Sequence, residues 1–406
     1  MLGLISVFLA FIGALGVLST AFILRRHAKQ WAKKRIKPES YPRVAVIAPQ
    51  RGEINQRNIE ALLKQDYPGA WEVFFVTTRD DISWRQLQRY VEEFEHVQIV
   101  PAEDVVELAQ RCGIHRGQKN HNLVTALAAI PPKTEMYAFI DADACPMRGW
   151  LRKLITPLTT NDLKLGAVSS ARIYAPGSGL ASYTQAAWVL GSASFLVGPW
   201  CYVWGGGFAT PKVVFETADV LRRWDGQEGF IANDDLNLSV ALRRHGYRTL
   251  FAPDCLLLRH PPVSKENWRD VLRFTNRQLS HVWWVRKDLW LTVLLTHGIK
   301  TLALFSALVV AWWQPIGLLA LIVPLIDIVN GWVIENVLSG ELREEVDIRK
   351  ARWKVIFASP IASSLGALNT LTAPLRRRMR WGGVEYAKRT VVGYTGDFSW
   401  RNNEAT

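Results

Sequence analysis

The apolar and polar positions of this chain fall into three textures. Residues 2–24 are apolar with scarcely an interruption. As a helix rising about 1.5 Å per residue, such a run crosses a hydrocarbon core of about 30 Å. From Arg43 short apolar runs alternate with mixed ones. Val44-Ala45-Val46-Ile47-Ala48 is followed by a stretch of helical spacing at 55–63, then by Glu72-Val73-Phe74-Phe75-Val76 and the polar residues 77–81. Strand, helix, strand is the economical reading, and it continues through a helix at 121–129 and a buried strand at 136–140 ending on Asp141. The alternation predicts an α/β domain with a mainly parallel sheet. In the third texture, residues 297–313 and 316–337 form two more apolar runs separated by Gln314-Pro315, with Trp312 and Trp313 at the boundary. These predict a membrane hairpin.

Two apolar stretches read differently. Residues 186–209 are as apolar as a span, but Gly198-Pro199 and Gly205-Gly206-Gly207 interrupt them, which predicts the wall of a site and a membrane-facing surface. Residues 355–372 are weaker. A full crossing there would carry Arg376, Arg377, Arg378 and Arg380 to the far side, so an interfacial or re-entrant segment is expected. Asp327 and Asn330 lie inside the second C-terminal run, with Lys300 in the preceding one as the expected partner. At membrane depth such residues mark either a functional contact or a structural pair.

Charge assigns an orientation. Lys and Arg number 49 against 36 Asp and Glu, a formal net charge of +13. Much of the excess sits beside the apolar runs, at Arg25, Arg26, Lys29, Lys33, Lys34, Arg35 and Lys37 and again at 376–380. Basic flanks stay on the cytoplasmic side, which places the N-terminus outside and the α/β domain in the cytoplasm. Anionic lipid headgroups are the expected partner, and no nucleic acid is, since no nucleic-acid module lies between the clusters. No basic segment precedes the first run and no small-residue cleavage site follows it, so the anchor is expected to be retained. Cys112, Cys145, Cys201 and Cys255 form no Cys-x-x-Cys pair, which fits a reducing compartment. The expected organisation is an anchor at 1–24, a basic linker at 25–42, the α/β domain at 43–287, a membrane region at 288–375 and a basic cytoplasmic tail at 376–406.

Candidate chemistry gathers where strands end, because ligands of such sheets sit outside the carboxyl ends of the strands, where Asp80, Asp81, Asp141 and Asp143 emerge. Asp141-Ala142-Asp143 offers two hard oxygen ligands, suited to Mg2+ or Mn2+ shared with phosphate oxygens; two aspartates also suit an ordinary polar turn. Asp235, in Asn233-Asp234-Asp235, opens a helical pattern with Asn233 as a cap. It is either an acid at a helix N-terminus or a base for an incoming hydroxyl, kept ionised by the helix dipole. Lys119, ahead of a helix, is either a solvated lysine or a phosphate neutraliser.

Several motifs occur in a fixed order: Pro49-Gln50-Arg51-Gly52-Glu53, Gln65-Asp66-Tyr67-Pro68, Arg79-Asp80-Asp81, Gly117-Gln118-Lys119-Asn120-His121-Asn122-Leu123, Asp141-Ala142-Asp143, Trp204-Gly205-Gly206-Gly207 and Asp234-Asp235. Over residues 42–287 this order resembles the family 2 glycosyltransferases of the GT-A (nucleotide-diphospho-sugar transferase) fold, and in particular their ceramide glucosyltransferase-like branch. The resemblance implies that Glu53 and Asp80 or Asp81 hold the uridine part of a UDP-sugar and that Lys119 and Asp141 face the donor. It further implies that Asp141 and Asp143 hold Mn2+ or Mg2+, and that Asp235 is the catalytic base. The family closes with Gln or Arg, two variable residues and Arg-Trp, whereas this chain reads Asn276-Arg277-Gln278-Leu279-Ser280-His281-Val282-Trp283-Trp284. Arg277, Gln278 and Trp283, with Asp234, are therefore assigned to diphosphate or acceptor in an altered arrangement. For the first three the alternative is an amphipathic helix lying on the membrane.

The implied reaction is a metal-dependent single displacement with inversion, moving a sugar, glucose by resemblance, from UDP to a membrane lipid hydroxyl. Ceramide is the acceptor by resemblance, and diacylglycerol or a similar lipid alcohol satisfies the same physics. A polysaccharide synthase would need a transmembrane tunnel, for which two or three C-terminal spans are few. A non-catalytic membrane scaffold of the same fold would not need Asp141, Asp143 and Asp235 together.

Overall fold

The computed structural model describes residues 1–34, 36–261, 266–340, 342 and 345–395; Arg35 and the last part of the expected basic tail, 396–406, lie outside the described residues. The first apolar run forms α1 (Leu2–Trp31), which continues past residue 24 because the basic stretch is built of good helix formers. Alternation then follows through β1 (Val44–Pro49), α2 (Gln56–Leu63), β2 (Trp71–Thr78), α3 (Ile82–Glu93), β3 (Val97–Ala102), α4 (Val105–Cys112), α5 (Gln118–Ala129), β4 (Met136–Ile140) and β5 (Cys145–Pro146). Next come α6 (Trp150–Ile155), β6 (Leu165–Tyr174), α7 (Leu180–Ser192), β7 (Gly207–Pro211), α8 (Lys212–Thr217), α9 (Val220–Trp224), α10 (Asp235–Arg244) and β8 (Arg248–Arg259). Helices α11 (Trp268–Val285), α12 (Lys287–Val293), α13 (Ile299–Val310), α14 (Ile322–Leu338), α15 (Val346–Phe357) and α16 (Ser359–Thr372) precede three short strands, β9 (Met379–Trp381), β10 (Val384–Tyr386) and β11 (Val391–Tyr394).

These elements make two compact units that are not contiguous blocks of chain: one gathers 1–34, 172–201 and 258–376, the other 35–171, 202–257 and 377–406. The second unit holds an eight-stranded sheet in the order β3-β2-β1-β4-β7-β6-β8-β5. Pairing is parallel along β3-β2-β1-β4, as the strand-helix alternation requires. It becomes antiparallel at β4–β7 and β7–β6, so the sheet is mixed. Because Ile140 pairs with Gly207 in that antiparallel ladder, β7 starts beside the point where β4 ends. Val44 to Ala48 are all fully buried, which explains why β1 is apolar without alternation. Ile47, Phe74, Phe139 and Phe208 pack with Leu123, Trp224 and Leu238 from α5, α9 and α10. Phe139 stacks on Phe208 at 4.6 Å and meets Trp224 edge-on at 5.6 Å.

In the other unit, three helical stretches among the described residues are long and apolar enough to cross a membrane: Leu2–Trp31, Lys287–Val310 and Pro315–Leu338. The second starts ten residues earlier than the apolar run, since polar Lys287 and Asp288 hide its first turn, and it contains a π-helical turn at Leu294–Gly298. The weaker run is bent by 67° between Asp347–Phe357 and Ser359–Leu375, a broken span or a re-entrant loop. Residues 186–209 are likewise divided, into α7 and the 3-10 turns Ala193–Leu196 and Gly198–Trp200 before β7. Val7, Ala10 and Ala14 of α1 pack on Ala303, Leu304 and Ala307, the small side chains letting backbones approach. A Cβ on Gly13 would lie 2.6 Å from Lys300 Cβ, so this crossing requires glycine. Lys300 is fully buried, and its ammonium donates to both Asp327 oxygens at 2.5 and 2.7 Å and to Ser363 Oγ at 2.6 Å. Asp327 is thus paired as its position in the chain requires.

Phe139→Ala is expected to destabilise the protein by about 3–5 kcal/mol by opening the aromatic core, whereas Leu163→Ala, at a residue 89% exposed, should be neutral in the same denaturation series. Lys300→Met should cost about 3–5 kcal/mol because Asp327 is left charged and buried, and Lys300→Met with Asp327→Leu should recover most of it. Equal losses in the single and double variants would refute the pairing energetics.

Candidate active site

The site is built at the carboxyl end of β4. Asp141 follows the strand half-buried, and Asp143 is exposed two residues on. A tight turn closes between them, with Ala144 N donating to Asp141 O at 3.1 Å, and Asn58 Nδ2 of α2 pins Ala142 O at 2.9 Å. Sequence reasoning missed Asn58; its signal was a poor helix former on an otherwise apolar helix face, where it is buried.

Lys119 is the second residue of α5. Its place is set by Gly117, whose N–H donates to Ile231 O at 2.9 Å and where a Cβ would lie only 2.5 Å from Ala232 Cα. This close approach brings the start of α5 against the segment that enters α10. The ammonium of Lys119 then lies 2.6 Å from Asp141 Oδ1 and 2.8 Å from Asp234 Oδ2. Asn120 Nδ2 adds a bond to Asn233 O at 3.2 Å. Burial alone would discharge Lys119, but the two carboxylates outweigh it and hold its pKa above the ordinary lysine value. Lys119 is therefore no solvated surface lysine.

Asp235 opens α10. Asn233 Oδ1 accepts from Leu236 N at 3.1 Å and Asn237 N at 3.2 Å, so Asn233 caps the helix as its sequence position predicts. The turn before it is ordered: Gly226 and Gly229 adopt φ of 79° and 76°, and Asn237 Nδ2 ties Phe230 O at 2.7 Å. Asp235 accepts from Gly205 N at 2.8 Å, Asn233 Nδ2 at 2.7 Å and Leu236 N at 2.7 Å. A Cβ on Gly205 would come within 2.9 Å of Asp235 Oδ2. The neighbouring Gly206 accepts from Asp141 N at 3.3 Å, so the glycine stretch touches Asp235 on one side and the Asp141 turn on the other. Its place at the helix N-terminus does not hold Asp235 at a low pKa, although the carboxyl is still mostly ionised at pH 7. Burial and the adjacent Asp234 carboxylate outweigh Lys119 and the backbone donors, pushing Asp235 up to about 6.

The remaining expected residues are placed differently. Asp81 is buried, accepting from Gly52 N at 2.8 Å and from Ser83 N at 2.9 Å, so it caps α3 and fastens the loop carrying Glu53. Asp80 and Glu53 are exposed. Arg277, Gln278 and Trp283 are half-buried on α11 in the other unit. There Arg277 lies over the Phe274 ring at 5.7 Å, and Trp283 meets Trp290 at 4.6 Å with Lys287 over it at 5.0 Å.

A divalent ion fits the carboxylate end of this site on donor chemistry. Asp141 and Asp143 are hard oxygen donors, and the net charge of Asp141, Asp143, Asp234 and Asp235 with Lys119 is negative. Among the described residues no group of three or more His, Cys, Asp or Glu is gathered to hold a metal. Two carboxylates would suffice for such an ion if phosphate oxygens and water filled its other positions, as at Mg2+ sites.

Residues 42–281 match the sequence profile of the family described as "Glycosyltransferase like family 2". No curated protein matches the chain. Among solved structures, the mannosyltransferase PcManGT from Pyrobaculum calidifontis, in complex with GDP-Man and Mn2+, is similar over 90% of this chain and 99% of its own, with 17% identity and a TM-score of 0.46. The glucosyl-3-phosphoglycerate synthase from Mycobacterium tuberculosis, in complex with Mn2+, UDP and glucosyl-3-phosphoglycerate, covers 61% of this chain and 86% of its own, with 15% identity and a TM-score of 0.37.

Asp235 is expected to titrate with a midpoint of about 6, protonated below it and ionised above. Asp234→Asn should lower that midpoint, because removing a negative neighbour favours the ionised form. Carboxyl infrared difference spectra against pH check both, and a midpoint near 4 in the parent protein would contradict the burial argument.

Proposed function

The chain belongs to the glycosyltransferase-like family 2, and on that premise we propose that it is an inverting transferase moving a sugar from a UDP-sugar to a membrane lipid hydroxyl. Its mixed eight-stranded sheet and flanking helices have the GT-A architecture. The observation that carries the reading is the linkage of Asp235, Gly205-Gly206 and Asp141, with Lys119 closing the circuit through Asp234. It sets a base with a near-neutral pKa in the same site as the carboxylates suited to a diphosphate-bound cation.

In this mechanism Asp235 accepts the proton of the acceptor hydroxyl as its oxygen attacks the anomeric carbon. The bond from that carbon to the β-phosphate oxygen breaks, and the nucleoside diphosphate leaves with the electron pair. Gly205 N–H, Asn233 and Leu236 N–H hold the Asp235 carboxylate in orientation throughout. Lys119, kept charged, orients Asp141 and offsets the negative potential that a diphosphate would meet. Asp141 and Asp143 would hold Mn2+ or Mg2+, which supplies Lewis-acid stabilisation of the leaving group when bound. Glu53 and Asp80 are the accessible acids for the nucleoside, with Asp81 holding their loop.

A lipid acceptor is supported by the three helices able to span a bilayer and by the apolar face of α1, where Leu4, Phe8, Ile12 and Leu15 are exposed. The basic end of α1 favours the cytoplasmic leaflet, with the N-terminus outside. Ceramide and glucose follow the resemblance, and diacylglycerol is the first alternative acceptor.

Purified full-length protein incubated with labelled UDP-sugars, Mn2+ or Mg2+ and a panel of lipids should yield a single-sugar lipid by mass. Release of a polymer would identify a polysaccharide synthase instead. Asp235→Asn should reduce turnover by about 10²–10⁴ while sparing nucleotide binding, and unchanged turnover would sink the assignment of the base. In the parent enzyme kcat/KM should rise with pH through about 6 as Asp235 ionises, and a flat profile from about pH 5 to 8 would contradict it.

A further inference from the structure

Residues 376–406, expected as a basic tail, fold at 379–394 into the three-stranded antiparallel sheet β9-β10-β11. This sheet is fastened to the segments that carry the site. Tyr386, only 1% exposed, accepts from Gln118 N at 3.2 Å through its phenol oxygen. Lys388 O accepts from Ile231 N at 3.3 Å, three residues before Asp234. Val391 N donates to His115 Nδ1 at 3.3 Å, and Tyr394 Oη donates to Asp104 Oδ1, the cap of α4, at 2.7 Å.

The bond to Gln118 falls at a sensitive place. Helix α5 starts after Gly117, which has no side chain to cap it, so the first amide of the helix needs an acceptor from elsewhere. Tyr386 provides it. The next residue is Lys119, which must reach Asp141 at 2.6 Å and Asp234 at 2.8 Å at once. A shift of the first turn of α5 by an ångström would break one of those contacts. The Lys388 carbonyl holds the opposite partner, the segment leading to Asp234, from the same small sheet.

We propose that the C-terminal sheet is a clasp on the donor site and that Tyr386 is a positioning residue for transfer, acting through Gln118 on Lys119. The proposal rests on the sugar-transfer reading of that site. It assigns the end of the chain a kinetic role distinct from membrane-surface binding. Tyr386 touches no reacting atom; it determines how well Lys119 and, through it, Asp141 are presented to the donor.

The test uses full-length protein with Tyr386→Phe, which keeps the ring and removes the acceptor oxygen. Its kcat/KM for the UDP-sugar should fall on the order of threefold to tenfold, the effect of one unsatisfied buried amide, with the acceptor KM unchanged. Amide exchange at 117–120 should quicken. Tyr394→Phe removes the other hydroxyl contact of the sheet and should lower the melting temperature without changing the donor kcat/KM. Should Tyr386→Phe not fold, exchange of the Gln118 amide in the parent protein decides instead: marked protection is expected from its bond to the buried Tyr386 oxygen, and exchange as fast as at an open helix N-terminus would overturn the role. Unchanged donor kinetics, unchanged exchange, or equal kinetic losses in Tyr386→Phe and Tyr394→Phe would overturn the positioning role. If the parent protein transfers no sugar, the reading of the site fails by itself, and exchange at 117–120 still decides whether Tyr386 orders the Lys119 segment.

Discussion

An ammonium held between two carboxylates is the interaction on which this site depends. Lys119 joins Asp141, at the end of β4, to Asp234, at the entry to α10, and so ties together segments more than ninety residues apart. Removing one partner from such a buried group leaves an uncompensated charge, a far larger penalty than the pair's net contribution. The arrangement is possible only because Gly117 lets the start of α5 lie against Ala232. A lysine that the sequence pattern assigns to the donor's phosphates is therefore also the part that gives the acidic residues a common geometry.

The sheet performs the second half of the assembly. A purely parallel sheet would bring every strand end to one edge but leave the glycine stretch without a reason to be there. Antiparallel β7 supplies the reason, since its first residue pairs with the last of β4. Gly205 and Gly206 then reach Asp235 and Asp141 with backbone groups, and a Cβ on Gly205 would crowd Asp235 Oδ2 at 2.9 Å. Packing against a glycine and pairing with a carboxylate recur in the helical unit, where Gly13 opens room beside Lys300 and Asp327 neutralises it. In both places the backbone approach is what makes the buried charge tolerable.

The pKa of Asp235 shows how tertiary burial can reverse a local rule. The N-terminus of a helix favours a carboxylate, and three donors do reach this one. Desolvation and the adjacent Asp234 outweigh them and raise the group into the range in which a base can both accept and release a proton near neutrality. Secondary structure alone would have placed it at an ordinary acid value.

Local patterns already contained the three long apolar helices, the strands at 44–48, 72–76 and 136–140, and the acidic stations from Glu53 to Asp235, because hydrophobic period and turn chemistry act over a few residues. The pairing of Asp327 with Lys300 was legible for a related reason: a charge inside a long apolar run is buried and requires a partner, and few were within reach. The antiparallel β7, the fastening of the Gly52 loop by Asp81, the bridge made by Lys119, the acidity of Asp235 and the attachment of the C-terminal sheet at Gln118 and Asp104 were not. Each depends on contacts between residues far apart in the chain, where the distance of approach, the burial and the neighbouring charge arise only once the sheet and helices have packed.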